Sequence, residues 1–293
     1  MAMGAGVYFG NNAMQAMGSA ERSWFDISLA QWSLHRAFRG GELDPMDFAK
    51  ITRKEFGIDA VEYVNSFYMD KLTPALVKDL KTRAEGEGVR SLLIMCDRLG
   101  QLGAPKQKAR IQTVEKHKVW IDAAKELGCH SIRVNAGSSG TYEEQMDRAA
   151  DGLSRLNEVG KAAGIGVIVE NHGGLSSNGA WLSAVIRKVG DDNCGTLPDF
   201  GNFRINRKTG ETYDRYKGTE ELMPFAKGVS AKSHDFDADG MEANTDYPRM
   251  MKIVKDAGFR GYVGIEYEGK ELGEFEGIRA TKALLEKLGG RGA

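Results

Sequence analysis

From Trp24 onward, short apolar runs rich in Val and Ile alternate with longer amphipathic stretches, and the alternation occurs eight times. Short β-branched runs read as strands, while apolar residues recurring three and four apart read as helices. The strand candidates are Phe25–Leu29, Ala60–Val64, Val89–Met95, Ser131–Asn135, Gly166–Glu170, Gly195–Asp199, Gly228–Lys232 and Tyr262–Glu266. Their centres lie roughly 30 to 41 residues apart, the size of one βα unit. Between them, Asp44-Pro45, Thr73-Pro74, Thr141 with Glu144, and Asp246 with Pro248 are helix starts. Gly57, Gly88, Gly128, Gly164 and Gly258 stand where helices stop.

Eight such units without a linker or charge block predict an α/β fold, a single (β/α)8 TIM barrel over residues 24–293. A doubly wound open sheet is the alternative. Its mark is a phosphate-binding GxGxxG turn after the first strand, and Gln31-Trp32-Ser33-Leu34-His35 stands there instead. Residues 1–23, rich in Gly, Ala, Met and Asn, lack a basic segment and a sustained apolar core. They read as a flexible leader rather than a signal peptide. With 40 Lys+Arg against 41 Asp+Glu, the net charge of −1 argues against a nucleic-acid partner. No run approaches the roughly 20 apolar residues needed to span a bilayer, so no membrane partner is expected. Three cysteines without CxxC spacing support neither disulfides nor a thiolate metal site and suit a reducing, cytoplasmic setting.

A barrel carries its chemistry at the carboxyl ends of its strands. There the fifth strand ends in Glu170-Asn171-His172, the sixth in Asp199, the seventh runs through Lys232 to His234, and the eighth ends in Glu266-Tyr267-Glu268. Carboxylates and an imidazole converging on one rim suit a divalent ion, and a carboxylate paired with Lys or Arg is the plainer reading of any one of them. Glu268 shares parity with Glu266 and is eligible in its place. His172 shares a face with Glu170, Lys232 points beside it, and Asn135 and Arg133 close the fourth strand, all candidates to meet substrate. Trp32 and His35 offer an aromatic wall or pack the barrel mouth. Arg36, Arg39, Arg98 and Arg204 are either phosphate contacts or surface ion pairs. His117 and His130 read as structural or solvated.

The motif order VIVENHG, LPDFGN, AKSHDFD and VGIEYEG resembles the xylose-isomerase-like barrel superfamily, to which sugar isomerases and epimerases belong, over Phe25 to about Leu288. The resemblance implies one divalent metal, Mn2+ first with Mg2+, Co2+ or Zn2+ as alternatives, held by Glu170, Asp199, His234 and Glu266. It also implies that Glu170 and Glu266 act as the acid/base pair, moving a proton next to a carbonyl through an enediolate. The expected activity is a sugar or sugar-phosphate isomerase or epimerase, with a carbohydrate partner and a homo-dimer or homo-tetramer. A lyase acting on a keto-sugar, keto-inositol or 3-keto glycoside starts with the same proton removal and stays open. Two departures stand out: the seventh strand reads Ser230-Ala231-Lys232-Ser233-His234-Asp235 where many relatives carry His-x-Lys-Asp, displacing the histidine along the strand while Ser230, Lys232 and His234 still share one face, and Asn202 sits where keto-sugar epimerases usually place a histidine. Endonuclease IV-like repair needs many histidine ligands, and the chain has five. A silent sugar-binding barrel is the remaining alternative.

Overall fold

The computed structural model describes Met1 and residues 23–292, so the expected leader lies almost wholly outside the described residues. Eight strands build the barrel: β1 Phe25–Ala30, β2 Ala60–Val64, β3 Arg90–Met95, β4 Ser131–Asn135, β5 Gly166–Glu170, β6 Cys194–Leu197, β7 Val229–Ser233 and β8 Tyr262–Tyr267. All pair in parallel, from β6 back through β1 to β8 and β7. The ring closes where β6 meets β7, through the single bridges Thr196–Ala226 and Asp199–Ser230. That seam is thin because Pro198 offers no N–H to a ladder, which ends β6 at Leu197, short of the expected Asp199. The amide of Ser230 still donates to the Pro198 carbonyl at 2.9 Å, and Phe200 N donates back to Ser230 O at 3.1 Å.

Between the strands run α1 Phe48–Phe56, α2 Pro74–Gly86, α3 Gln107–Leu127, α4 Tyr142–Ala163, α5 Gly179–Val189, α6 Arg215–Leu222, α7 Tyr247–Asp256 and α8 Glu274–Lys287. A short helix, His35–Gly40, precedes α1. Thr73, Thr141 and Asp246 cap α2, α4 and α7 through their side chains, and Thr141 with Glu144 forms the complete reciprocal box. Asp44 caps only a 3-10 turn at Pro45–Asp47, three residues ahead of α1. An antiparallel hairpin, Arg204–Asn206 with Glu211–Thr212, interrupts the sixth unit and was not legible in the sequence pattern.

The larger apolar core lies between the strands and the helices. A smaller one inside the barrel joins Ala30, Val64, Leu93, Met95, Ile168 and Leu197. Alternation within each strand places Glu62, Arg133, Glu170, Lys232 and Glu266 on the same inward faces, and all five are buried.

Gly152 shows how closely the helices are set. A Cβ there would stand 1.9 Å from the Leu102 carbonyl oxygen, backbone that cannot swing aside. Gly86, also helical, faces open space. Gly152→Ala should therefore cost about 1–3 kcal/mol despite the better helix former. Thermal unfolding should show a midpoint lowered by roughly 3 °C or more, with Gly86→Ala unchanged or raised. Equal midpoints for both variants would refute the packing.

Candidate active site

Three carboxylates meet at the carboxyl end of the barrel: Glu170 closes β5, Asp199 follows β6, and Glu266 lies on β8. One oxygen from each lies within 4.8 Å of the others, and all three residues are buried. Asp199 is fixed by its loop, its Oδ1 accepting from the Gly201 and Asn202 amides at 2.8 Å each. Its Oδ2 accepts from Ser230 Oγ at 2.9 Å, and that hydroxyl lies 3.3 Å from Glu266 Oε2. Thus β7 delivers a hydroxyl to the centre of the cluster. Asn202 Nδ2 donates to Glu170 Oε1 at 2.8 Å.

Two buried cations hold the acids. Lys232 Nζ stands 2.9 Å from Glu266 Oε1, 3.4 Å from Glu268 Oε1 and 3.6 Å from Asp199 Oδ2. Arg133 Nη1 donates to Asp97 Oδ1 at 2.7 Å, and its Nε lies 2.8 Å from Glu170 Oε2. The Nε–H does not point at that oxygen, so both atoms lack a hydrogen bond. The acids outnumber these cations. Burial, helped by crowding from other acids, overcomes the pull of Arg133 and Lys232 on Glu170 and of Lys232 on Asp199 and pushes both carboxyls up to about 7. Asp97 goes the other way, to about 2: the Arg133 charge and hydrogen bond outweigh a larger burial penalty with help from His172 and Asn135.

Hard oxygen donors, a Glu170 oxygen that accepts no hydrogen bond and a surplus of negative charge fit a divalent cation held by Glu170, Asp199 and Glu266, with the Ser230 hydroxyl at hand. His234 lies outside this cluster. β7 ends at Ser233, so strand alternation no longer directs the next side chain. The His234 amide instead donates to Glu242 Oε1 at 3.1 Å, and its ring, 38% exposed, lies 3.9 Å from the same oxygen.

Other predicted residues divide between wall and support. His172 and Glu268 line both of the cavities that open above the acids. One cavity, of about 500 Å3, adds Asn202, Lys232 and His234. The other, of about 310 Å3, adds Trp32, Arg133, Asn135 and Glu266. Burial chiefly, with repulsion from Arg133 and Lys232, lowers the His172 pKa. Trp32 donates its indole N–H to Glu268 and stacks on His35, ring centroids 4.8 Å apart. His35 lines neither cavity, since its Nδ1 lies 2.7 Å from the Trp32 carbonyl and 3.5 Å from Glu274 of α8. Asn135 holds Asp97 at 2.8 Å. His117 is buried in α3 against the Thr113 carbonyl, outside the site.

Residues 53–288 match the family described as xylose isomerase-like TIM barrel, and the chain belongs to that family. A local match of 65 residues, 37% identical, joins it to the C-glycoside deglycosidase alpha subunit of Arthrobacter globiformis. That match spans 21% of this chain and 18% of the relative. The fold is shared with a 3-keto-D-glucoside 4-epimerase from E. coli, at a TM-score of 0.66 and 14% identity over 91% of this chain and all of that one. It is shared equally with a Mycobacterium smegmatis protein solved with magnesium, at 0.66 and 16% identity over 90% and 96% of the two chains.

A buried acid inside the barrel carried no direct sequence signal. Glu62 on β2 accepts from Ser28 Oγ at 2.6 Å, and its Oε2 has no partner. Gly264 on β8 makes its room, since a Cβ there would stand 2.3 Å from Glu62 Oε1. Small residues on the flanking strands were the available signal. Burial, opposed by the Ser28 bond and helped by Glu266, lifts the Glu62 carboxyl to about 7. Its folded pKa exceeds the unfolded value of 4.5, so its share of stability is present below about 4.5 and lost as pH rises through 7. Glu62→Gln should therefore be more stable than wild type at pH 8 and lose that advantage at pH 5. Urea unfolding midpoints at both values measure this, and parallel pH profiles would show an unshifted group.

Proposed function

We propose that this chain is a divalent-metal-dependent sugar isomerase or epimerase. The carrying observation is the convergence of Glu170, Asp199 and Glu266, from three strand ends, on one buried point. All-oxygen donors favour Mn2+ or Mg2+ over Zn2+ or Co2+. Bound there, such an ion supplies the Lewis acidity that weakens a C–H bond beside a carbonyl.

The remaining work falls to the side chains. Glu170, held by Asn202, takes or gives a proton at carbon, and Glu266 serves the opposite face. Lys232 fixes Glu266 Oε1 at 2.9 Å and keeps its orientation. His172 offers a hydrogen bond to a sugar hydroxyl, and Trp32, positioned by Glu268, lies against an apolar sugar face. Return of the proton to the neighbouring carbon isomerises; return to the other face epimerises. Elimination from a 3-keto glycoside begins identically, and the deglycosidase match is the observation that favours it as second reading.

The test is a panel of ketoses and 3-keto-glucosides in D2O, followed by NMR and mass spectrometry. Deuterium should enter the carbon beside the carbonyl, and Glu170→Gln and Glu266→Gln should each lower turnover by about 10²–10⁴. Chelation should abolish turnover and Mn2+ restore it. Full activity in protein shown to be metal-free would overturn the proposal, and loss of water or release of an aglycone would select elimination.

A further inference from the structure

The larger cavity carries a charge pattern that proton transfer does not use. Arg204 lies on the hairpin, Arg207 in its turn, Arg215 at the start of α6 and Lys270 after β8, and all four line the same cavity. Among the described residues, none of the four has a carboxylate oxygen within 4.0 Å, whereas Lys232 in the same cavity has three such neighbours. The acids lining that cavity are Asp235 and Glu268. Asp235 is occupied by the Lys270 and Glu271 amides at 3.1 and 3.2 Å, and Glu268 by Trp32 and Lys232. The smaller cavity, by contrast, sets Asp97, Glu266 and Glu268 against Arg39, Arg98 and Arg133.

Unpaired guanidinium groups in a concave wall are a poor host for a neutral ligand and a good one for an oxyanion, which takes two parallel N–H bonds from a single arginine. The acidic floor repels the same group. We propose that this cavity holds the acidic end of the substrate: a carbohydrate bearing a phosphate or carboxylate far from its carbonyl, the acid against Arg204 and Arg207 and the carbonyl end toward Glu170 and Glu266. Its orientation rests on the proton-transfer reading above, but the anion grip does not. Coulomb attraction fixes direction at the rim and leaves the chemistry to the floor.

Calorimetry on the metal-loaded protein at low salt, with D-fructose, D-fructose 6-phosphate and D-glucuronate as probes, tests this. At least one acidic sugar should bind about tenfold tighter than fructose, the tighter of the two naming phosphate or carboxylate, with the preference shrinking as salt rises. Arg204→Gln/Arg207→Gln should erase the preference, while Arg39→Gln/Arg98→Gln in the other cavity keeps it. Equal binding of acidic and neutral sugars, or a preference that survives the first double variant or vanishes with the second, overturns the proposal. Binding and turnover separate the two readings: an acid preference without deuterium incorporation sustains the anion grip and sinks the isomerase, and the converse does the reverse.

Discussion

The barrel interior must keep more carboxylates than cations out of water, and much of the site follows from how it does so. Ionised carboxyls are costly in a low-dielectric interior unless each finds a cation or several donors. Arg133 on β4 reaches Asp97 after β3 and Glu170 on β5. Lys232 on β7 reaches Asp199 after β6, Glu266 on β8 and Glu268 just past it. Two side chains thereby tie six consecutive strand ends. Backbone bonding is weakest at the β6–β7 seam, and side chains reinforce it there: Lys232 and Ser230 both contact Asp199.

The surplus charge that remains sets how the buried acids titrate. Glu62, Glu170 and Asp199 all have carboxyls lifted to about 7, burial being the largest cause in each. Such groups exchange protons near neutrality, as acid/base work requires. Yet Asp97, in the same cluster, is driven to about 2 because the Arg133 guanidinium and the Asn135 amide both donate to it. Neighbouring acids acquire opposite character from the donors each is given.

Much of this was legible in the sequence because barrel strands impose a period of two and barrel chemistry sits at strand ends. Glu170, Asp199 and Glu266 fall where those two rules place them, and the strand boundaries agree within one or two residues, Pro198 accounting for the largest difference. The rules fail where the strand stops. His234 lies one residue past β7, and the buried Glu242, from a loop with no periodic signal, draws its amide away. Glu62 was hidden for the opposite reason: an acid inside Ala-Val-Glu-Tyr-Val faces inward or outward according to neighbours on other strands, Ser28 and Gly264, that are distant in sequence. The hairpin was missed because Arg204–Thr212 has no apolar alternation, its turn being held instead by the Asn206 side chain accepting from the Lys208 amide at 2.9 Å.

A net charge of −1 suggests a bland electrostatic surface, but charge is separated inside the mouth. Carboxylates gather in the floor, contributed by strands whose inward faces are fixed by the barrel, whereas the unpaired arginines and lysine stand on a hairpin, a helix start and a loop. The two sets differ in how readily they change without loss of the fold. Altering a floor acid exposes a buried partner to an uncompensated charge, which costs several kcal/mol. Altering Arg204 or Arg207 breaks no ion pair among the described residues. Under the proposed function, chemistry is thus bound to the scaffold and selectivity is detached from it: the floor constrains the reaction, and the rim is free to vary with the ligand presented.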